Sequence, residues 1–296
     1  MEIPEKCSLC PRACGADRRT QKGICGGAGT VKLARAALHF GEEPCISGTR
    51  GSGTVFFNGC ALKCVYCQNY KISAENYGKE IGTAQLADIF LALQAQGAHN
   101  INLVSAQHYL PWVLDALQSV KAQLHIPVVY NTGGYETTAA VQALAPYVDV
   151  WLTDLKYVSP VLSDAYSHAT DYFTVASAAL QTMLAAAGAP VYDENGLLVK
   201  GVLVRHLALP NALDDTKAVL QYLAALPKNS FVLSLVCQYT PCYKAKNIKV
   251  LNRRLSTYEY NRALDTAIEL GLANGYMQQR SSAKEEYTPV WDLTGV

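Results

Sequence analysis

No apolar run in this sequence reaches the ~18–20 residues that a membrane helix needs, so no membrane role is expected. Charge is sparse as well: 17% of the residues are Asp, Glu, Lys or Arg, and the formal net charge is +1. Without a surplus of either sign there is no bulk attraction to nucleic acid or to an anionic surface, so no nucleic-acid partner is expected. The opening Met1–Lys6 has neither the basic start nor the apolar stretch of a signal peptide. No internal repeat is visible beyond an alternation of strand-like and helix-like runs. What remains is a chain of 296 residues, half of them hydrophobic, long enough for one large or two modest domains around a well-buried core.

Cysteine, by contrast, is plentiful. Ten cysteines in a chain with no recognisable leader point to metal ligation in a reducing compartment rather than to disulfides, hence an expected cytoplasmic location. The chain is organised around Cys60-Ala61-Leu62-Lys63-Cys64-Val65-Tyr66-Cys67, a C-x3-C-x2-C run directly after the strand-like stretch Gly53–Gly59. Thiolates select zinc or iron–sulfur clusters. A structural zinc wants four ligands, usually as C-x2-C pairs, whereas this loop offers three at two spacings. A [4Fe–4S] cluster normally takes four cysteines, so three leave one iron with an open coordination position, which is what a metal needs to do chemistry. A zinc knuckle or chance cysteines are the alternatives.

A second group, Cys7, Cys10, Cys14 and Cys25, sits among Gly, Arg and Lys and defines a Cys-rich N-terminal segment over residues 1–50. So short and polar a stretch cannot bury a core of its own, and a metal gives it a reason to be ordered. Zinc and a second iron–sulfur cluster are both open here, beside a loose arm with free thiols. Cys45 stands alone, either as a small buried apolar side chain or as a further metal-site thiol. Val31–Phe40 reads as a strand or a short helix. From Gly53 onward strands are expected near 54–58, 101–105, 127–131, 148–153, 200–205 and 231–236. Helices are expected near 84–96, 111–122, 137–145, 160–187 in two pieces, 214–225 and 257–270. Thr83, Pro111 and the Asn211–Asp215 run serve as start signals, and Glu194-Asn195-Gly196 is a hairpin signal before the fifth strand. Strands alternating with helices imply right-handed crossovers and a parallel sheet. The fold class is therefore α/β, an incomplete TIM-like (β/α)6 barrel over residues 51–275, followed by a tail over 276–296 with no clear period. In that tail Ser281–Glu286 is expected to be exposed, with Tyr287, Trp291 and Leu293 available to dock.

The cysteine loop, with Tyr66 just before its last Cys, resembles the signature of the radical SAM superfamily. Gly59-Cys60, Cys67-Gln68-Asn69, Asp154-Leu155-Lys156 and Arg205–Pro210 are similar to the glycyl-radical-enzyme activases, in particular to the PflX-like branch of the pyruvate formate-lyase activating enzyme homologues. The resemblance runs from about Cys7 to about Leu272. It implies a [4Fe–4S] cluster on Cys60, Cys64 and Cys67, with S-adenosylmethionine as cofactor. It further implies reductive cleavage to a 5′-deoxyadenosyl radical that takes hydrogen from a substrate, reduced flavodoxin or ferredoxin as electron donor, and a glycyl radical enzyme as partner.

In a parallel α/β sheet ligands gather at the carboxyl ends of the strands, so the candidates are read there. Tyr66 can cover the cluster and line the adenine side, or simply pack. After the second strand, Ser105 and Gln107 stand where the activases usually carry a Gly-Gly-Glu stretch for the cofactor's amino group; they offer acceptors without the carboxylate charge. His108 is a substitute for it, a substrate contact or a structural histidine. After the third strand, Asn131 and Thr132 in a Gly-rich turn suit ribose or carboxylate, or form an ordinary tight turn. Asp154 and Lys156, at alternate positions of the fourth strand, point to one face and match active-site residues of the resembling family; a surface ion pair is the plain alternative. Arg205 suits a carboxylate, with His206 facing the other way. Asp154, Lys156 and Arg205 are the catalytic candidates. Gln238 and Tyr239 are lid or pocket candidates, while Cys237 and Cys242 read as a pocket thiol or packing. The reading is a radical SAM oxidoreductase of activating-enzyme type. Its alternatives are a radical SAM enzyme acting on a small molecule or peptide, a non-catalytic electron-transfer iron–sulfur protein and a zinc scaffold.

Overall fold

The computed structural model describes residues 3–272, 274–278 and 288–296. Its strands are β1 Val31–His39, β2 Ser52–Phe57, β3 Lys79–Ile81, β4 Ile101–Val104, β5 Val128–Thr132, β6 Val150–Asp154, β7 Val191–Tyr192, β8 Leu198–Leu207, β9 Val232–Val236 and β10 Gly275–Met277. One sheet runs in the order β10-β9-β8-β6-β5-β4-β2-β1-β3, and β7 pairs with β8 beside it. All neighbours from β2 to β10 along this path are parallel; β1 is antiparallel to both β2 and β3. The path ends at β10 and β3 without closing, as expected of an incomplete barrel.

The sequence accounts for most of these elements. β2, β4 and β9 are buried at every position, as strands covered on both faces must be. Ser159 caps the helix Pro160–Ser167, with Pro160 in its first turn, and Ser256 with Glu259 forms a capping box at Thr257–Glu269. Two start signals work differently from expectation. Gly82, not Thr83, precedes the helix Thr83–Ala95. The cap position of Leu213–Ala224 is Ala212, which makes no side-chain cap. Asp215 instead accepts from the Val158 and Ser159 backbone N–H groups at 3.0 and 2.6 Å, tying two loops together.

Val31–His39 is a strand, settling that ambiguity. Val191 and Tyr192 pair antiparallel with the start of β8 around Asp193–Gly196, so the Asn-Gly hairpin forms. Gly275–Met277 adds a seventh parallel strand at an edge where the sequence reads as aperiodic tail; three residues are too few to show a period. Ser281–Glu286 and Tyr287 lie outside the described residues. Further on, the Trp291 ring meets Phe56 edge-on at 5.1 Å, and Ala36 N–H donates to the Thr294 carbonyl at 2.9 Å, so this stretch lies along β1.

Residues 3–30 contain no helix or strand. Their buried positions are Cys7, Cys10, Arg18, Gly23, Cys25 and Gly27, with no aliphatic or aromatic side chain among them. The helix Pro44–Ser47 plugs the barrel interior: Cys45 and Ile46 pack against Val129, Val150, Leu152, Leu203 and Val232. Cys45 is thus a small apolar filler, its thiol pushed up to about 11 by burial.

Candidate active site

The interior face changes character toward the carboxyl ends of the strands. Two residues beyond four of the apolar contacts with the plug stands a polar side chain on the same face: Val129 then Asn131, Leu152 then Asp154, Leu203 then Arg205, Val232 then Ser234. Register sets Asp154 beside Arg205, and Arg205 beside Ser234. Arg205 Nε donates to Asp154 Oδ1 at 2.8 Å, one terminal nitrogen to Asn131 Oδ1 at 3.2 Å, and the other to Glu42 Oε2 at 3.3 Å. Lys156 pairs with the second Asp154 oxygen. Glu42 Oε1 also accepts from Asn131 at 3.0 Å and from Asn102 at 3.4 Å. Ser234 Oγ donates to Glu43 Oε1 at 3.0 Å, while Glu43 Oε2 lies 3.8 Å from Arg205 and has no hydrogen-bond partner in the structure.

Three carboxylates thus meet two cations in a nearly dry layer. Burial raises the Asp154 carboxyl, but Arg205 and Lys156 outweigh it and hold the group down at about 2. For Glu42 and Glu43 burial wins, and both carboxyls are raised despite Arg205. The acid pair before Pro44 gives no local signal of this role, since Glu-Glu-Pro in a loop is ordinary. Only the plug brings it into the barrel.

The cysteine loop closes this layer from above. Gly59, at φ +90°, lets the chain turn under the Cys25 carbonyl, which a side chain there would strike at 2.6 Å. Each of the three sulfurs receives one hydrogen bond: Cys60 from the Leu62 N–H at 3.4 Å, Cys64 from Ser167 Oγ at 3.0 Å, and Cys67 from Ser73 Oγ at 3.4 Å. Cys64 and Cys67 line a cavity of about 230 Å³ together with Glu42, Asn131, Asp154, Lys156 and Arg205. A second cavity of about 720 Å³ adjoins it, sharing Glu42, Arg205, Val236 and Gln238, and runs out past Glu43 and β10.

The sequence pattern described as the Radical SAM superfamily matches residues 54–183, which contain the loop and the carboxyl ends of β2, β4, β5 and β6. An uncharacterized protein of Methanocaldococcus jannaschii, MJ0674, is 31% identical over 284 residues, covering 91% of this chain and 76% of that one. The chain belongs to the radical SAM superfamily. Among solved structures it is similar to a domain of a pyruvate-formate lyase-activating enzyme from Bacteroides vulgatus (14% identity, TM-score 0.42, 58% of this chain and 92% of that one). It is also similar to Streptococcus suis SuiB bound to S-adenosylmethionine (13%, TM-score 0.47, 77% and 50%).

The radical SAM family implies an iron–sulfur cluster and S-adenosylmethionine, and the donors present fit the cluster. Three buried or half-buried thiols are each met by a hydrogen-bond donor. Burial raises the Cys64 thiol and pushes Cys67 up to about 12, so a bound metal, not solvent, would be what holds them as thiolates. Cys242, the other thiol beside the loop, has its sulfur 3.1 Å from the Tyr66 carbonyl. Among the described residues no three His, Cys, Asp or Glu groups crowd around one point as the ligands of a single ion. A cluster does not require that, because each cysteine binds a different iron. Arg18 reaches the Cys7 and Cys25 sulfurs at 3.7 and 4.0 Å, and Cys7, Cys10, Cys14 and Cys25 likewise do not meet at one point.

The structure divides the other candidates of this radical SAM chain between two places. Asn131, Asp154, Lys156 and Arg205 share the main cavity with Tyr66, Gln238 and Tyr239. The Tyr66 hydroxyl meets that of Tyr157, which reaches Ser167 Oγ at 2.9 Å and so the donor to Cys64. Ser105, Gln107 and Thr132 instead line a small separate cavity under Cys60, with His108 and Glu136. There Thr132 bonds Glu136, whose carboxyl burial pushes up to about 8, and Gln107 Nε2 has no partner in the structure. His108 is buried, with Nε2 2.6 Å from the Asn58 carbonyl and its backbone carbonyl accepting from Arg18 at 3.2 Å. It joins the N-terminal segment to the barrel. His206 faces away from the mouth, held by the Leu155 carbonyl and Thr216.

Proposed function

We propose that the protein is a radical SAM oxidoreductase of the activating type, related to the PflX-like branch, that takes a hydrogen atom from a glycine of a partner enzyme. When bound, the cluster on Cys60, Cys64 and Cys67 supplies the electron that splits the sulfur–adenosyl bond of S-adenosylmethionine, and the radical so formed takes the hydrogen. The chain's own residues bind and orient. Asn131 and Arg205 are suited to the cofactor's carboxylate, and Arg205 with Lys156 holds the Asp154 carboxylate ionised facing the same cavity. Glu42 supplies a carboxylate that the Ser105–Gln107 stretch lacks, which makes it the candidate for the amino group. Tyr66 covers the loop. The observation that carries the reading is the single cavity holding two of the three cluster thiols together with the charged strand ends. The adjoining cavity past Glu43 gives a substrate group a way in, and equally favours a second reading, a small molecule or peptide as substrate. Reduced flavodoxin or ferredoxin is the electron donor in either case, and cytoplasm is the fitting compartment.

The same reading puts a second metal, zinc or another cluster, at Cys7, Cys10, Cys14 and Cys25. Arg18 supports it: its guanidinium is buried, reaches the Cys7 and Cys25 sulfurs at 3.7 and 4.0 Å and the Ala28 carbonyl, and has no carboxylate among its hydrogen-bond partners. A buried cation needs a counter-charge, which metal-bound thiolates provide.

The test is anaerobic. Wild-type protein with dithionite and S-adenosylmethionine is expected to release 5′-deoxyadenosine and methionine, and Cys64→Ala to release none. Adding a candidate glycyl radical enzyme should produce a protein-based glycyl radical by electron paramagnetic resonance; cofactor cleavage without that signal across such partners favours the small-substrate reading. Metal analysis of a Cys60→Ala/Cys64→Ala/Cys67→Ala protein should retain zinc or iron at the N-terminal site, and none would remove that site.

A further inference from the structure

The segment after β9 is rich in cations and free of acids. Between Tyr239 and Tyr258 stand Lys244, Lys246, Lys249, Arg253 and Arg254, and no Asp or Glu, in a protein whose net charge is +1. All five are exposed. Arg253 is answered by Glu259 at 2.6 Å. Lys244, Lys246, Lys249 and Arg254 form no ion pair among the described residues. Like charges this close along the chain repel one another, and an acidic partner would relieve that repulsion.

Their position narrows the partner. The buried Ala245, between two of the lysines, donates its N–H to the Val65 carbonyl at 2.9 Å. The Cys242 sulfur touches the Tyr66 carbonyl, and the Tyr243 ring stacks on Tyr70 at 5.0 Å. Val65 and Tyr66 lie between the ligands Cys64 and Cys67. The basic segment is therefore fastened to the outside of the loop whose inner side faces the cofactor cavity. From the surface, the hydrogen bond at Ala245 leads to Val65, one peptide from Cys64.

We propose that Lys244, Lys246, Lys249 and Arg254 form the docking face for a small acidic one-electron carrier protein. The proposal rests on the radical SAM reading above and adds to it where the electron enters. One electron leaves the carrier, which is oxidised by one electron, and reaches the metal group, which is reduced by one; no bond forms or breaks at the surface. The charge is local and set against the metal loop in a chain of net charge +1, which favours a carrier over a polynucleotide or an anionic membrane.

The probe is a purified flavodoxin. Its affinity for the anaerobically reconstituted protein is measured at about 0.05 M and about 0.5 M salt, with wild type, Lys244→Glu/Lys246→Glu/Lys249→Glu and the milder Lys244→Gln/Lys246→Gln/Lys249→Gln. Charge reversal is expected to weaken binding at least about tenfold at low salt, neutralisation less, and the difference to collapse at high salt. Cofactor cleavage driven by reduced flavodoxin should fall in the same order, while cleavage driven by dithionite, which needs no docking, stays at the wild-type level. Equal flavodoxin affinity in the three proteins overturns the proposal, as does a loss of affinity confined to a polynucleotide or to anionic vesicles. Wild-type protein that cleaves nothing with dithionite sinks the enzymatic reading, while the affinity comparison still decides the surface.

Discussion

Among the described residues Arg205 is the one cation bonded to Asn131, Asp154 and Glu42, and replacing it tests the polar layer directly. Arg205→Met keeps much of the side chain's bulk and removes its charge. Asp154 retains Lys156, but among the described residues Glu42 and Glu43 both lose the one cation they pair with. Removing one partner of a buried pair costs about 3–5 kcal/mol. Because Lys156 stays, and because the Arg205 side chain is 25% exposed, the low end, about 3 kcal/mol, is expected in urea unfolding at pH 7. Adding Glu42→Gln removes one of the stranded carboxylates, so the double variant should be more stable than the sum of the singles predicts, by about 1 kcal/mol or more. Arg205→Lys restores the charge but not the planar fork and should fall between. The pH dependence has a definite sign. The Glu42 and Glu43 carboxyls already sit above their ordinary range, and losing Arg205 removes what lowers them. An acid whose folded pKa exceeds its unfolded one costs stability as pH rises from the unfolded value through the folded one. The deficit of Arg205→Met should therefore be smaller at pH 5 than at pH 8. A deficit below about 0.5 kcal/mol, additivity with Glu42→Gln within the same margin, or a deficit that grows on acidification would refute the account of this layer.

Two further outcomes follow from single contacts. A side chain at Gly134 (φ +83°) would lie 2.2 Å from the Asp154 carbonyl oxygen and 2.9 Å from the Tyr172 hydroxyl, so Gly134→Ala should destabilise by at least about 2 kcal/mol and weaken S-adenosylmethionine binding; a melting temperature equal to wild type would contradict this. Ser167→Ala removes the 3.0 Å hydrogen bond to the Cys64 sulfur. Hydrogen bonds to cluster sulfurs tune the potential by stabilising the more reduced state, so the variant's midpoint in an anaerobic redox titration should shift to a more negative value, and an unmoved midpoint would show that this contact does not tune the cluster.

Much of the fold was legible because its signals are local. Six apolar runs separated by amphipathic ones dictate parallel strands and crossover helices, and all six lie within a few residues of where the pattern sets them. The loop Cys60–Cys67 was legible for the same reason: three sulfurs within eight residues are close whatever the rest of the chain does. β10 carries no such signal because it contributes only Gly275–Met277, and its pairing with β9 comes from the sheet's edge, not from any period.

The polar layer is a different matter. Asn131, Asp154 and Arg205 could be picked as strand-end residues, yet nothing in their neighbourhoods says that they share one cavity while Ser105, Gln107 and Thr132 line another. Glu42 and Glu43 carry no signal at all; they enter the site because Cys45 and Ile46 plug the barrel about 85 residues of chain before Val129 supplies the other side of that contact. Sequence alone determined the alternation of elements and the thiol loop, since periodicity and short spacing are properties of neighbours along the chain. Which carboxylates face Arg205, and which sulfurs gather around Arg18, were decided only when packing brought distant segments into the same low-dielectric space.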